Sequence, residues 1–106
     1  MPTQISKHQY DNAAQQRILR LVGILSGHEL HGLSPKDMAD GLGISQPTIT
    51  RDLHNLREVG FAEQIQETGR YRLSPKIVQI AIAHMTAMER AASQLTETKN
   101  RYSREP

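Results

Sequence analysis

The 106-residue chain has no cysteine and no tryptophan. Without thiols there is no disulfide framework and no thiolate metal site. Aromatic residues make up only 4% of the chain, with a single phenylalanine, so the core must be small and built from Leu, Ile, Val and Ala. A core of that size leaves part of the stability to a partner chain. No apolar run approaches the roughly 20 residues needed to span a bilayer, and the N-terminus lacks the apolar stretch of a leader. The expectation is a soluble, cytoplasmic protein that does not meet a membrane. An excess of one charge is also missing. Lys and Arg number 13 against 11 Asp and Glu, a formal net charge of +2. That balance alone does not point to nucleic acid, so the distribution of the charges has to decide.

The motifs of catalysis are missing too. There is no nucleophile motif, no paired-carboxylate setting and no glycine-rich phosphate loop. His28, Glu29 and His31 form the one ligand-like cluster, in a glycine-flanked loop with no third ligand evident. An enzyme is not expected, nor a metal or other cofactor.

What is present is punctuated helix. Residues 1–10 show no period and are expected to be a flexible arm. From Asp11 the pattern changes: Ile18, Leu19, Leu21, Val22 and Leu25 recur at helical spacing, with Asp11 or Asn12 as cap and Gly27 as stop. Ser34-Pro35 opens a second helix, whose apolar side is Met38, Ala39 and Leu42. Gly43 suits a tight left-handed turn, Ile44 is expected to plug the core, and Ser45 caps a third helix with Pro47 in its first turn. Ile49, Leu53 and Leu56 form one inward stripe on that helix. After Gly60, the residues Phe61, Ile65, Tyr71 and Leu73 suggest two short strands around a turn at Glu67-Thr68-Gly69. Ser74-Pro75 opens a last helix, expected to run to about residue 99, with a polar tail over 100–106.

The expected fold is mainly α: a winged helix-turn-helix of three helices and a two-stranded β-wing over residues 11–74, followed by a long C-terminal helix over 75–99. With the third helix's apolar stripe turned inward, its other side presents Pro47, Arg51, His54 and Asn55, with Gln46, Thr48 and Thr50 on the flanks. A helix that enters the major groove needs short polar donors and one or two long arms. Ser45, Thr48 and Thr50 suit phosphates, Arg51 can hold guanine O6 and N7, and Gln46 can read adenine. Arg70 and Arg72 flank Tyr71 on the wing and would share one face as a clamp, while Tyr71 points into the core. Lys76 would add a phosphate contact.

The stretches "GLGIS", "TITRDLHNLREVGF" and "GRYRLSP", with Leu33 to Ala39 before them, resemble the N-terminal DNA-binding domain of IclR-type transcription regulators. The resemblance covers about residues 15–85. It implies that the segment after the turn is the recognition helix and that "GRYRL" is the second wing strand. Ser45, Gln46, Thr48, Thr50 and Arg51 then fall on the DNA-facing part, and Arg70 and Arg72 on the wing. Members of that family usually continue into a large effector-binding domain. A chain of 106 residues has no room for one, so no small-molecule effector is expected.

In the last helix Ile77, Ala81, His84, Met88, Ala91 and Leu95 are spaced 4, 3, 4, 3 and 4. This heptad-like seam is the expected homodimer interface, with its N-terminal half also covering the winged-helix core. The alternative contributors to that interface are Leu21 and Val22 of the first helix. The partner expected is double-stranded DNA, and the function a sequence-specific regulator, with repression favoured because no segment is spare for recruiting a polymerase. The rival is a winged helix that binds another protein, with Asp52, Glu63 and Glu67 covering the arginines.

Overall fold

The computed structural model describes residues 7–104. The chain divides into two compact units, one ending at Ser74 and the other beginning at Pro75. The first unit holds a 3-10 turn at Lys7–Tyr10, helices α1 (Ala13–Leu25), α2 (Pro35–Leu42) and α3 (Gln46–Glu58), and strands β1 (Ala62–Gln64) and β2 (Tyr71–Leu73). The second unit contains one helix, α4 (Pro75–Ser103). The fold is a winged helix-turn-helix followed by a long helix.

Local chemistry sets the helix starts. The side chain of Asn12 accepts from Gln15 N at 3.0 Å, Ser34 Oγ from Asp37 N at 3.1 Å, and Ser45 Oγ from Thr48 N at 3.4 Å. Each satisfies an amide that the first turn leaves without a helical partner. Gly43 ends α2 in the left-handed region, at φ 68°, and so turns the chain directly into α3.

The core joins Leu21 and Leu25 of α1, Met38 and Ala39 of α2, Ile49, Leu53 and Leu56 of α3, and Ala62 and Tyr71 of the wing. Leu21, Leu25, Ile49 and Leu53 are its largest fully buried side chains. Each contributes about 1.5–3 kcal/mol by leaving water. An exposed ion pair gives about 0–1 kcal/mol. The fold is therefore fixed by this shared apolar core, and surface charge only tunes it.

Several expectations change here. Leu19 is 69% exposed, because it lies on the side of α1 opposite Leu21. Leu21 is fully buried in the chain's own core and is not available to a dimer interface. Ile44 is half-buried rather than a sealed plug. Residues 1–6 of the expected arm lie outside the described residues, while Lys7–Tyr10 form the 3-10 turn. The last helix runs four residues further than expected, to Ser103, because no glycine or proline interrupts Asn100, Arg101 and Tyr102. No residue of α4 is buried.

β1 and β2 pair antiparallel, with Ala62 opposite Leu73, Glu63 opposite Arg72 and Gln64 opposite Tyr71. A third piece of backbone joins the wing: Leu33 N donates to Tyr71 O and Tyr71 N donates to Leu33 O, both at 2.8 Å. The loop ahead of α2 is thereby held to the wing.

Candidate nucleic-acid interface

α3 buries one side and leaves the other free. Ile49, Asp52, Leu53 and Leu56 are buried, at spacings of 3, 1 and 3. Ser45, Gln46, Pro47, Thr50, Arg51, His54 and Asn55 are exposed, and Thr48 is half-buried. The first turn and a half of the helix thus offers hydroxyls, an amide and a guanidinium side by side.

These groups are held in a short chain of hydrogen bonds. The Ser45 and Thr48 hydroxyls lie 2.7 Å apart, and Arg51 Nη2 donates to Thr48 Oγ1 at 3.4 Å. Asn55 Nδ2 donates to the Arg51 carbonyl at 2.9 Å, which turns that amide onto its own helix. His54 Nε2 lies 3.8 Å from Glu58 Oε1, near the far end. The Arg51–Thr48 bond is long and exposed, so the guanidinium can leave it for a better acceptor.

The wing is less free than its sequence suggests. Arg70 precedes β2 and its Nη1 reaches Gly32 O at 3.5 Å. Arg72 Nε donates to Glu63 Oε1 at 2.8 Å, across the ladder. The two arginines expected to form a shared clamp are each drawn toward a different acceptor of the protein. Glu67 is exposed in the turn between the strands. Lys76, the second residue of α4, lies in the other compact unit.

Two residues that sequence reasoning left unassigned tie α3 in place. Arg57 Nη1 donates to Gln64 Oε1 at 3.2 Å, and Gln64 Nε2 donates to Gly69 O at 3.1 Å. Arg57 so links the end of α3 to the wing turn. Arg17 of α1 grips Asp52 with two bonds, Nε to Oδ2 at 2.5 Å and Nη2 to Oδ1 at 3.0 Å. The hydrogen bond to that carboxylate raises the Arg17 pKa further above its ordinary value. Asp52 therefore points away from Arg51 and does not cover it, whereas Glu63 does engage Arg72.

Ile77 is half-buried, and Ala81, His84, Met88, Ala91 and Leu95 are exposed. Met88 is 61% and Leu95 57% exposed. At heptad spacing the stripe continues through Thr98 to Tyr102, which is also exposed. No helix among the described residues is long and apolar enough to cross a membrane. Among the described residues no group of three or more His, Asp or Glu could hold a metal ion.

Residues 10–65 match the model of the helix-turn-helix domain family. The glycerol operon regulatory protein of Streptomyces coelicolor is 31% identical over 84 residues, 78% of this chain and 32% of that protein. An IclR family transcriptional regulator from Brucella abortus superposes with a TM-score of 0.64 at 23% identity, over 81% of this chain and 32% of its own. Pseudomonas aeruginosa HmgR superposes with a TM-score of 0.57 at 26% identity, over 70% of this chain and 30% of its own. The chain spans about a third of the length of these relatives.

Proposed function

The chain belongs to the helix-turn-helix domain family and resembles the DNA-binding part of IclR-type regulators, and from that premise we propose that it binds a specific double-stranded DNA site and represses transcription there. The observation that carries this reading is the free side of α3. Ser45 to Arg51 present exposed polar groups while Ile49 and Leu53 anchor the opposite side in the core. In the proposal that side enters the major groove, Arg51 reads a guanine and Gln46 an adenine. Ser45, Thr48 and Thr50 hold phosphates, with Pro47 and Asn55 lining the contact. Arg70, Arg72 and Lys76 add contacts to the DNA backbone, the two arginines after leaving or sharing Gly32 O and Glu63.

The protein acts as a dimer in this reading. The exposed seam Ile77, Ala81, His84, Met88, Ala91 and Leu95 is the proposed joint. One winged helix makes few base contacts, and two joined half-sites add their binding free energies. A dimer seated on a promoter represses by occupying it, which calls for no effector and no catalysis.

Selection of bound fragments from a random duplex pool tests this directly. A single enriched site is expected. Arg51→Ala should then cost about 1–3 kcal/mol on that site and relax preference at one base pair. Equal loss on every duplex would leave Arg51 without a reading role.

A second reading, a winged helix that binds protein, is favoured by Glu63 holding Arg72 and by the acidic Glu67 in the wing turn. It calls for a partner of mixed charge and for no enriched DNA site at all.

A further inference from the structure

Among the described residues, Asp52 is the one charged residue that is buried, at 7% exposure. It lies on the helix proposed to read DNA, one position after Arg51 and two after Thr50. Its carboxylate takes both donors of the Arg17 guanidinium, and the two side chains are 16% and 10% exposed. No buried polar side-chain atom among the described residues lacks a hydrogen-bond partner.

Stability does not explain the pair. Replacing a buried ion pair by apolar groups of like volume is often neutral or stabilising, since taking two charges from water offsets their attraction. The other buried residues of α1 and α3 are apolar: Leu21 and Leu25 on α1, and Ile49, Leu53 and Leu56 on α3. Such packing holds helices together but tolerates small rolls and slides, because its energy depends on area and not on direction. A planar guanidinium on a planar carboxylate is directional, with two parallel bonds that fix both the roll and the height of α3. Consecutive helical residues lie about 100° apart, so a small roll moves the Arg51 and Thr50 side chains sideways across a groove floor. Base contacts need hydrogen bonds placed to a few tenths of an ångström, whereas phosphate contacts do not. Arg17 also cancels the charge of the first acid on α3, next to a surface meant for phosphates.

We propose that Arg17 and Asp52 are positioning residues for sequence reading. They index α3 against α1, so that the selected base pair falls under Arg51. This rests on the proposed DNA-binding function and specifies which residues set its precision.

The test uses the full chain and the duplex that wild type selects from a random pool. A second duplex differs from it at the base pair sensitive to Arg51→Ala. The variants are Arg17→Met with Asp52→Leu, which keeps volume and removes both charges, and Arg17→Lys, which keeps charge and removes the fork. Melting temperature, salt slope on a scrambled duplex and the affinity ratio between the two duplexes are measured. The double variant should melt at or above wild type and bind the scrambled duplex with an unchanged salt slope. Its affinity ratio should fall about tenfold or more, the scale of one lost base contact. Arg17→Lys should show a smaller fall. A wild-type ratio in both variants overturns the proposal while leaving the DNA reading intact. If the double variant fails to fold, an unchanged ratio in Arg17→Lys overturns it alone. A wild-type chain that selects no site removes the DNA reading and this proposal together.

Discussion

Gly32 shows how a single residue controls the approach of two distant segments. Its φ is 68°, and a Cβ there would lie 2.5 Å from the Tyr71 carbonyl oxygen. Both the left-handed backbone and the clash oppose any side chain. Gly32→Ala should therefore destabilise by more than about 1 kcal/mol and lower the melting temperature. An unchanged melting curve would mean that the Leu33–Tyr71 bridge is not needed. Glu63 presents the reverse case: under the proposed function it restrains Arg72 more than it supports structure. Its pair with Arg72 has side chains 42% and 36% exposed, so it adds no more than about 1 kcal/mol to stability. Glu63→Gln should leave melting nearly unchanged while freeing Arg72 for a phosphate. Affinity for any duplex should rise, and the salt slope should steepen by about one unit. A slope that stays fixed would place Arg72 outside the DNA contact.

At the scale of elements, what the sequence disclosed follows from the range of each interaction. The caps Asn12, Ser34 and Ser45, the stop at Gly43 and the inward stripe Ile49, Leu53 and Leu56 are local, and spacing alone locates them. The Arg17–Asp52 pair joins residues 35 apart, and the Leu33–Tyr71 bridge nearly 40, so neither follows from local pattern. One signal for the pair was present. Asp52 completes an i, i+3, i+4, i+7 stripe with Ile49, Leu53 and Leu56, and Arg17 precedes Leu21 and Leu25 at spacings of four. Opposite charges in two inward stripes call for each other. The wing misled because alternation predicts sides for strand residues, and Arg70 falls one position before the strand. α4 is legible as a helix, but its end is not, since a frayed polar tail and a continuing helix have the same composition. Its seam carries a prediction of its own. Met88→Asp should convert a dimer to a monomer in sedimentation, with helix content falling as the long helix loses its cover. An unchanged mass would assign dimerisation elsewhere or nowhere.

Across the whole molecule, the two compact units have different sources of order. The unit up to Ser74 holds the cluster of buried side chains. The helix from Pro75 spans about 43 Å at 1.5 Å per residue and buries none of its side chains. In the proposed DNA complex the net charge of +2 would matter little, since binding would depend on the few cations that reach phosphate. Contact with about six phosphates on a duplex should lose orders of magnitude in affinity between 50 and 200 mM salt. Affinity that ignores salt would favour the protein-binding reading.

The bare flank of α4 bears on how the gene for such a protein would behave. In the proposed dimer a second copy covers that surface, and the DNA-competent species would then scale with the square of chain concentration while copies are scarce. Control would then switch over a narrow span of expression instead of grading smoothly. The sharpness of that threshold would be written into Met88, Leu95 and their neighbours rather than into any residue that touches a base.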